Sequence, residues 1–250
     1  MGLIGETVDL SHPLSPALPH HPDVVPPSVT TVAGFERDGC FAGRWDLDEH
    51  SGTHVDAPAH FVAGGAAVHA IAAADLVLLA AVVDIRDRVR GDADARLEVA
   101  DILDWERRHG PLPGPCAVLA LTGWAERIHD RGRYLGLDGE GRPHWPGFAA
   151  ETARFLAADR PQVYALGIDT PSLDSAAGER AGSAVHHGWL GGRRYGVENL
   201  ANLERLPPVG GVLIVGVPAL VGASGAPARV LGLIPAPGLQ PVGESAASSA

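Results

Sequence analysis

The segment His50-Ser51-Gly52-Thr53-His54-Val55-Asp56-Ala57-Pro58-Ala59-His60 is the most informative part of this chain. Its residues with metal-ligand side chains all occupy even positions: His50, His54, Asp56 and His60. In an extended segment, this period-two spacing places all four side chains on one face. The Gly, Thr, Val and Pro residues between them disfavour a helix. Pro58 predicts that the extended part ends or turns there, at the edge of a sheet.

Three imidazoles and a carboxylate on one face form a nitrogen and oxygen ligand set that suits Zn²⁺, Mn²⁺ or Fe²⁺. The alternative is a polar surface strand whose histidines are incidental. The chain has 12 histidines, so some pairing by chance is expected. Three of them with an aspartate on one face, around a Gly-Thr pair, are much harder to obtain by chance. The segment therefore predicts a metal site.

A metal site usually needs further ligands from elsewhere in the chain. The second candidate region contains His186 and His187, followed by Glu198 at the end of a short apolar segment. Taken alone, these residues are weak evidence. A His-His pair is more typical of a loop, and Glu198 could be an ordinary residue at the start of a helix.

Composition excludes several classes of function. The chain has 250 residues, of which 46% are hydrophobic, and a formal net charge of −11. Nucleic acids and anionic membrane surfaces would repel such a chain, so we expect neither as a partner. All 19 basic residues are arginine. The absence of lysine excludes Schiff-base chemistry, attachment of pyridoxal phosphate and a P-loop.

The cysteines and the first residues indicate the compartment. Cys40 and Cys116 are too few for a disulfide framework, and Cys116 heads an apolar run that predicts a core position. The N-terminal residues lack the pattern of a signal peptide, and no apolar run approaches the roughly 18 residues that span a bilayer. We therefore expect a cytoplasmic protein.

Apolar runs alternate with helical patterns, which predicts an α/β domain. The predicted strands, apolar at both parities and therefore expected to be covered on both faces, are Leu76–Ile85, Ala117–Leu121, Val163–Ile168, Val212–Val217 and Arg229–Ile234. The predicted helices are Ala100–His109, Ala149–Ala158 and Asn199–Leu206. The stretch Arg131–Pro146, rich in glycine, predicts a long loop that could be a lid or an oligomer contact. We expect one domain over residues 1–243 and a polar tail over residues 244–250 that frays.

The chain resembles the metal-dependent cyclase/hydrolase family that includes bacterial kynurenine formamidase and isatin hydrolase. The segment from His50 to His60 matches the family's H-x-G-T-H-x-D-x-P-x-H signature at every fixed position. The stretch Asp9-Leu10-Ser11 is similar to the family's opening D-L-S motif. The stretch from Gly167 to Asp174 is similar to its G-[IV]-D-x-x-S-x-D motif. His186 and Glu198 have the spacing of its later metal ligands.

This resemblance implies roles for individual residues. His50, His54 and Asp56 would bind a first divalent ion, Zn²⁺ or Mn²⁺. Asp56, His186 and Glu198 would complete a second site in members that bind two ions. The resemblance also implies a single α/β domain with a mixed, strongly curved or barrel-like β-sheet flanked by helices, assembled into a homodimer or homotetramer.

His60 would be the proton-transfer group rather than a ligand, and the alternatives are a third ligand or a residue behind the ligands. A neutral imidazole can take a proton from water and return it to a leaving nitrogen or oxygen. Asp169, at the end of a buried strand, could orient a ligand histidine or fix the following turn. Trp45, Phe41 and Phe61 could wall an aromatic pocket, although aromatic residues beside a strand are more often core.

Together, these features predict a metal-dependent hydrolase of an amide, lactam or formamide bond in a small aromatic or cyclic carbonyl compound. An N-formyl aromatic substrate is the most concrete expectation. The first alternative is a cyclase or lactone hydrolase of secondary metabolism, which needs the same ion and base and which the long stretch Arg131–Pro146 slightly favours. The second is a non-catalytic metal-binding protein, which would not require His60.

Overall fold

The computed structural model describes residues 4–236, so the predicted tail at 244–250 lies outside the described residues. The strands are β1 (Ile4–Asp9), β2 (Ser28–Ala33), β3 (Ala42–Asp46), β4 (His54–Asp56), β5 (Val77–Asp84), β6 (Arg96–Leu97), β7 (Cys116–Leu121), β8 (Gly147–Phe148), β9 (Val163–Ile168), β10 (Tyr195–Glu198), β11 (Gly211–Gly216), β12 (Gly225–Pro227) and β13 (Arg229–Pro235). The α-helices are α1 (Phe35–Asp38), α2 (Arg86–Val89), α3 (Val99–His109), α4 (Arg131–Tyr134), α5 (Ala150–Asp159), α6 (Ala176–Arg180) and α7 (Ala184–Trp189). Short 3₁₀ helices occur at Pro58–His60, Val68–Ala70, Ala73–Leu76, Trp124–Arg127 and Leu203–Arg205.

A mixed sheet of nine strands, in the order β1-β13-β11-β5-β7-β9-β10-β4-β12, forms the frame of the fold. Its centre is parallel, from β5 through β7 and β9 to β10. Helical crossovers connect β5 to β7 and β7 to β9, as parallel neighbours require. The outer strands on both sides pair antiparallel. The α/β class and the mixed sheet are therefore confirmed.

The sheet curls into a half-barrel that brings its two sides together. The residues after β1 connect these sides. Leu10 donates its N–H to the carbonyl of Val230 and accepts a hydrogen bond from the N–H of Ala201, both at 2.9 Å. Ser11 forms an isolated antiparallel bridge with Leu200. The strongly curved sheet that the family resemblance implies is thus present.

Apolar side chains fill both faces of the sheet. Cys116, Val118 and Ala120 of β7 pack into one buried cluster, which includes residues of α3, α5 and α7. Ala117 and Leu119 point to the other face and pack in the concave interior of the half-barrel. Central strands buried on both faces are typical of sheets with parallel crossovers. The predicted core position of Cys116 is confirmed, with none of the residue exposed.

The expectation of two covered faces is wrong for the outer strands. In β11, Leu213 and Val215 are buried whereas Val212 and Ile214 are partly exposed. β13 alternates in the same way. These strands lie on the antiparallel side of the sheet, where one face packs on the core and the other meets solvent. Both the central and the outer strands carry apolar side chains at odd and even positions. The sequence pattern therefore did not distinguish a strand buried on both faces from a strand buried on one.

Two of the three predicted α-helices are confirmed as α3 and α5, to within a residue at each end. The predicted helix Asn199–Leu206 is wrong, since only Leu203–Arg205 forms a 3₁₀ turn. Asn199 and Asn202 adopt φ angles of 54° and 55°. Asparagine tolerates this left-handed conformation, which interrupts a right-handed helix.

The stretch Arg131–Pro146 is mostly turns, as predicted, but it is not a free lid. It begins with the short helix α4, and Tyr134 and Trp145 are buried with 2% and 1% of their surface exposed. Its two ends therefore belong to the protein core. This removes the length of the segment as an argument for a cyclase. Among the described residues, no helix combines the length and apolar character needed to cross a bilayer.

Candidate metal centre

The signature segment is not one extended strand. His50 lies in a turn, only His54–Asp56 forms a strand, and Pro58 opens a 3₁₀ turn that ends at His60. The prediction of a turn at Pro58 is confirmed, but β4 pairs with β10 on one side and β12 on the other, so it is not an edge strand. Gly52 has a φ angle of 62°, a conformation that favours glycine and bends the chain before β4.

The pairing of β4 with β10 joins the signature to the second candidate region. Glu198 lies directly opposite His54 in the antiparallel register. The Nε2 atom of His54 lies 3.3 Å from Oε2 of Glu198 and 3.4 Å from Oδ1 of Asp56. Asp56 and Glu198 are almost completely buried, with 0% and 4% exposed. The sheet thus brings together two carboxylates and an imidazole that are far apart in the chain.

Two more imidazoles complete the cluster. His186, on α7, places its Nε2 atom 3.1 Å from Oε1 of Glu198 and 3.5 Å from Oδ2 of Asp56. The Nδ1 atom of His50 lies 2.7 Å from Oδ1 of Asp56. All five predicted ligands therefore meet, and Asp56 contacts all three imidazoles, with one oxygen toward His50 and the other toward His186.

In His54 and His186, the ring nitrogen that points away from the two carboxylates of the cluster, Nδ1, donates a hydrogen bond. His54 donates from Nδ1 to the carbonyl of Gly52 at 2.8 Å, and His186 donates from Nδ1 to Oδ2 of Asp174 at 2.7 Å. In a neutral imidazole only one nitrogen carries a proton. When both rings are neutral, as metal binding requires, their Nε2 atoms carry lone pairs that face the carboxylates, the arrangement found in metal-ligating histidines.

In His50 the two ring nitrogens exchange roles, so that Nε2 points away from the carboxylates and Nδ1 faces Asp56. The Ser224 hydroxyl donates to Oε2 of Glu49 at 2.7 Å, so its oxygen is free to accept from Nε2 of His50 at 3.0 Å. In the neutral imidazole, Nδ1 then carries the lone pair that faces Asp56. Gly225 permits this approach, because a Cβ atom there would lie 2.6 Å from the ring of His50. Sequence reasoning missed both Glu49 and Ser224.

The buried negative charge of Asp56 and Glu198 favours a cation at the cluster. Burial alone lowers the pKa of His54, but hydrogen bonds and charges from Asp56 and Glu198 outweigh it and raise that pKa to about 10. Burial raises the pKa of Asp56, and the three imidazoles more than offset it, so the pKa is held well below its usual range. Within residues 4–236, Oδ2 of Asp56 is buried without a hydrogen-bond partner. Lone pairs on nitrogen and oxygen around buried negative charge fit a divalent ion.

His60 lies beside this cluster at a cavity of about 680 Å³. Its ring stacks on His50 with 3.9 Å between ring centroids. Partial burial lowers the pKa of His60 to about 4, so the imidazole is neutral near pH 7. One of its nitrogens also lies close enough to His50 and Asp56 to share an ion with them. The geometry therefore accommodates His60 as a proton-transfer group and as a ligand, two of the three roles that the sequence left open.

The predicted aromatic wall is present only in part. Phe61 lines the cavity and stacks on His186 with 4.6 Å between ring centroids. Trp45 lies on β3 and is 45% exposed, and Phe41 lies just before β3 and is 63% exposed. Neither residue is part of the cavity lining. The aromatic-wall prediction therefore holds for Phe61 and is wrong for the other two within this chain.

The residue that orients His186 is Asp174, not Asp169. Asp174 accepts from Nδ1 and from the backbone N–H of His186, and from the N–H of Val185, so it also fixes the start of α7. Asp169 accepts instead from Thr122, through its hydroxyl at 2.6 Å and its N–H at 3.0 Å, and fixes the turn after β7. Both carboxylates stand in the stretch Gly167–Asp174 that carries the family resemblance, which was the available signal for Asp174.

We expect Asp174→Asn to weaken metal binding by about 10- to 100-fold, the usual cost of losing the group behind a ligand imidazole. The amide keeps one acceptor oxygen but loses the charge that holds Nδ1–H of His186. Competition with a chromogenic chelator measures the affinity. Asp94→Asn is the matched control, because Asp94 pairs with His144 away from the cluster. Equal affinities for Asp174→Asn and the control would contradict this role.

Comparisons with known proteins agree with this geometry. The family model described as putative cyclase matches residues 8–175. Isatin hydrolase from Roseibium aggregatum is 29% identical over 217 residues, 83% of this chain and 81% of the relative. Kynurenine formamidase from Erythrobacter litoralis is 31% identical over 173 residues, 66% of each chain. The solved structure of isatin hydrolase A from Labrenzia aggregata bound to benzyl benzoate superposes with a TM-score of 0.83 at 30% identity, covering 92% of this chain and 93% of that one.

Proposed function

Because the chain belongs to the putative cyclase family, we propose that it is a metal-dependent hydrolase that opens an amide bond in a small, uncharged aromatic substrate. Two matched relatives, isatin hydrolase and kynurenine formamidase, support hydrolysis at a carbon–nitrogen bond. The observation that carries the proposal is the arrangement of the imidazoles. Each has one nitrogen held from outside and the other turned toward the buried Asp56 carboxylate, and His54 and His186 also face Glu198.

The ligands in this proposal are those that the cluster brings together. As the family resemblance implies, His50, His54 and Asp56 would hold a first divalent ion, and Asp56, His186 and Glu198 would hold a second where two ions bind. A bound divalent ion supplies Lewis acidity, which lowers the pKa of water from about 15.7 toward about 7 and polarises a carbonyl group. With no thiolate in the cluster, Zn²⁺ and Mn²⁺ are both compatible, and the imidazole-rich set favours Zn²⁺.

His60 moves the proton in this proposal. Its imidazole is neutral near pH 7 and lies at the cavity, beside the ligands. Its unprotonated nitrogen accepts a proton from the attacking water and returns it to the nitrogen of the broken amide bond. Asp174 keeps the ring of His186 fixed while this happens, and Phe61 packs against the same ring and excludes solvent from it.

The charge of the cavity lining supports an uncharged substrate. Four carboxylates line the outer part of the cavity, on Asp23, Asp48, Glu49 and Glu179. Among the described residues, no arginine belongs to the lining, and the chain has no lysine. A substrate carboxylate would therefore find no fixed cation apart from the ion and His21. A cyclic amide such as isatin carries no carboxylate. N-formylkynurenine is an amino acid with a carboxylate and an ammonium group, and the acidic lining disfavours only the first, so the formamide matched by the second relative is the second candidate.

Exposed apolar side chains support the expectation of a homodimer or homotetramer. Val29 and Trp45 on the β2–β3 hairpin are 46% and 45% exposed, and Phe35 on α1 and Phe41 beside it are 73% and 63% exposed. Large exposed apolar patches mark association sites on soluble proteins. Sedimentation of the purified protein measures the state directly.

The proposed function is tested by metal content and turnover on one sample. We expect one or two equivalents of Zn or Mn by elemental analysis, and hydrolysis of isatin that stops on chelation and returns when the ion is added back. The same assay with N-formylkynurenine ranks the two substrates. Metal-replete protein that hydrolyses neither amide overturns the proposed function.

A further inference from the structure

The side chain of Asn199 lies behind the proposed metal ligands and links two distant segments of the chain. The residue directly follows Glu198 and is 5% exposed. Its Nδ2 atom donates to the carbonyl of Gly52 at 3.1 Å, and its Oδ1 atom accepts from the hydroxyl of Tyr134 at 2.7 Å. A carbonyl oxygen can only accept, so the amide nitrogen must face Gly52 and the Tyr134 hydroxyl must be the donor. Both hydrogen bonds therefore have a single direction.

The carbonyl of Gly52 is the group that orients the ring of His54. It accepts from Nδ1 of His54 at 2.8 Å and also from Asn199. A carbonyl oxygen has two lone pairs, so it can accept both hydrogen bonds. Two donors on one oxygen share its electron density, so the bond from Asn199 does not strengthen the bond from His54. Asn199 therefore acts on the position of the carbonyl and not on the basicity of the imidazole.

The position of this carbonyl needs support because the chain bends there. Gly52 has a φ angle of 62° and precedes β4, whose pairing with β10 starts at His54. The Thr53 hydroxyl donates to the backbone carbonyl of Asn199 at 2.6 Å. Asn199 thus holds the bend through both its backbone and its side chain.

Tyr134 fixes the amide of Asn199 from a rigid part of the core. It lies on α4, in the stretch Arg131–Pro146, and is 2% exposed. Its backbone carbonyl accepts from Nε1 of Trp124 at 2.7 Å, and its backbone N–H donates to the carbonyl of Asp130 at 2.8 Å. The hydroxyl is therefore preorganised for its partner, as a supporting group behind a site needs to be.

We propose that Tyr134 and Asn199 are positioning residues for the metal centre. Through the carbonyl of Gly52, they hold the ring of His54 in the orientation that binding of an ion needs. The inference rests on the proposed function only for His54 as a ligand. Groups behind a ligand imidazole commonly act in this way. The stretch Arg131–Pro146, predicted as a lid or an oligomer contact, thereby has a role inside the protein.

The test measures zinc affinity by competition with a chromogenic chelator. Tyr134→Phe removes only the hydroxyl, and Asn199→Gly removes the amide but suits the φ angle of 54° at this position. We expect Asn199→Gly to weaken zinc binding about 10-fold, the lower end of the range for a group behind a ligand imidazole. Tyr134→Phe weakens it about 3-fold, the effect of one uncharged hydrogen bond. The double variant binds zinc no more weakly than Asn199→Gly, because Tyr134 acts through Asn199.

Tyr195→Phe is the matched control. Tyr195 is also buried, with 0% exposed, and its hydroxyl donates to the carbonyl of Asp75 at the same distance of 2.7 Å. We expect both tyrosine variants to lower the melting temperature of the metal-free protein by similar amounts, and only Tyr134→Phe to lower zinc affinity. The visible absorption spectrum of bound Co²⁺ reports the geometry of the ligands, so it should change in Tyr134→Phe and not in Tyr195→Phe.

The outcomes separate this proposal from the proposed function. Wild-type zinc affinity in both Tyr134→Phe and Asn199→Gly overturns the positioning role, as does a wild-type protein that binds no zinc. Equal loss of affinity in Tyr195→Phe assigns the effect to a general change in the fold and also overturns it. Losses that multiply in the double variant overturn the link from Tyr134 through Asn199. If wild type binds zinc but hydrolyses neither amide, the proposed function fails while the affinities still decide the positioning role.

Discussion

We expect Asp56→Asn to abolish metal binding and amide hydrolysis while the chain stays folded. Asp56 is completely buried, and its oxygens lie 2.7 Å from His50, 3.4 Å from His54 and 3.5 Å from His186. The amide has almost the same shape, but it lacks the negative charge that a cation needs here. Turnover falls by orders of magnitude, because the lowering of the pKa of water from about 15.7 to about 7 is lost with the ion.

The stability of the variant gives a second measurement. A ligand that binds only the folded state stabilises it by RT ln(1 + [L]/Kd), so the melting temperature rises with the logarithm of the ligand concentration once that exceeds Kd. We therefore expect Zn²⁺ to raise the melting temperature of the wild-type protein and to leave that of Asp56→Asn unchanged. Without metal, the variant should be less stable than wild type, because the imidazoles around Asp56 hold its pKa well below the usual range and this favourable interaction is lost with the charge.

Asp169→Asn is the matched control for this variant. Asp169 is also a buried aspartate, but its hydrogen bonds go to Thr122 and Gly123. Burial raises its pKa to about 6, against the effect of these hydrogen bonds, so the loss of its charge should be tolerated. The control should keep its metal and the zinc-dependent rise in melting temperature. Zinc bound by Asp56→Asn as tightly as by the control would remove Asp56 from the ligand set.

We expect His60→Ala to lower kcat by about 10²- to 10⁴-fold, the contribution of a positioned acid–base group, with metal content unchanged. His60 is the most exposed histidine of the cluster, and its neutral ring stacks on His50 at the cavity. Its loss removes the proton acceptor but leaves the five proposed ligands in place. Elemental analysis and steady-state kinetics on one preparation separate the two roles of His60.

His187→Ala controls for the loss of an imidazole near the site. His187 follows the ligand His186 on α7, is exposed, and contacts Phe61 edge-on, as His60 does. This variant should keep its metal and its turnover. If His60→Ala loses metal together with activity, His60 is a ligand and not the proton-transfer group. If its kcat is unchanged, His60 has neither role.

Local sequence patterns were sufficient to predict the central strands of the sheet and the two longest helices. The strands β7 and β9 and the helices α3 and α5 are recognisable because apolar periodicity and flanking Gly, Pro or Asp are local properties. The helix predicted at Asn199–Leu206 failed for a tertiary reason. Leu200 pairs with Ile168 and Ser11, and Asn199 bonds to Gly52 and Tyr134, so these distant contacts fix the left-handed backbone that local propensity does not show.

Of the groups behind the proposed ligands, Asp174 had a signal in the matched motif, whereas Glu49 and Ser224 had none. Ser224 holds His50 from the opposite end of the chain, and Asp174 holds His186 from the preceding loop. Nothing in a single sequence states which hydroxyl will find a partner, because that depends on which segments pack around it.

The sequence by itself determined the family and predicted the types of candidate ligand, since eleven consecutive residues from His50 to His60 carry both signals. Their spacing did not determine the geometry, because the segment bends at Gly52 and again at Pro58 instead of lying along one strand. Only the tertiary structure decided how the ligands meet. The antiparallel register of β4 with β10 sets Glu198 opposite His54, and α7 adds His186. Hydrogen bonds between distant strands fix this register, and no local pattern encodes them.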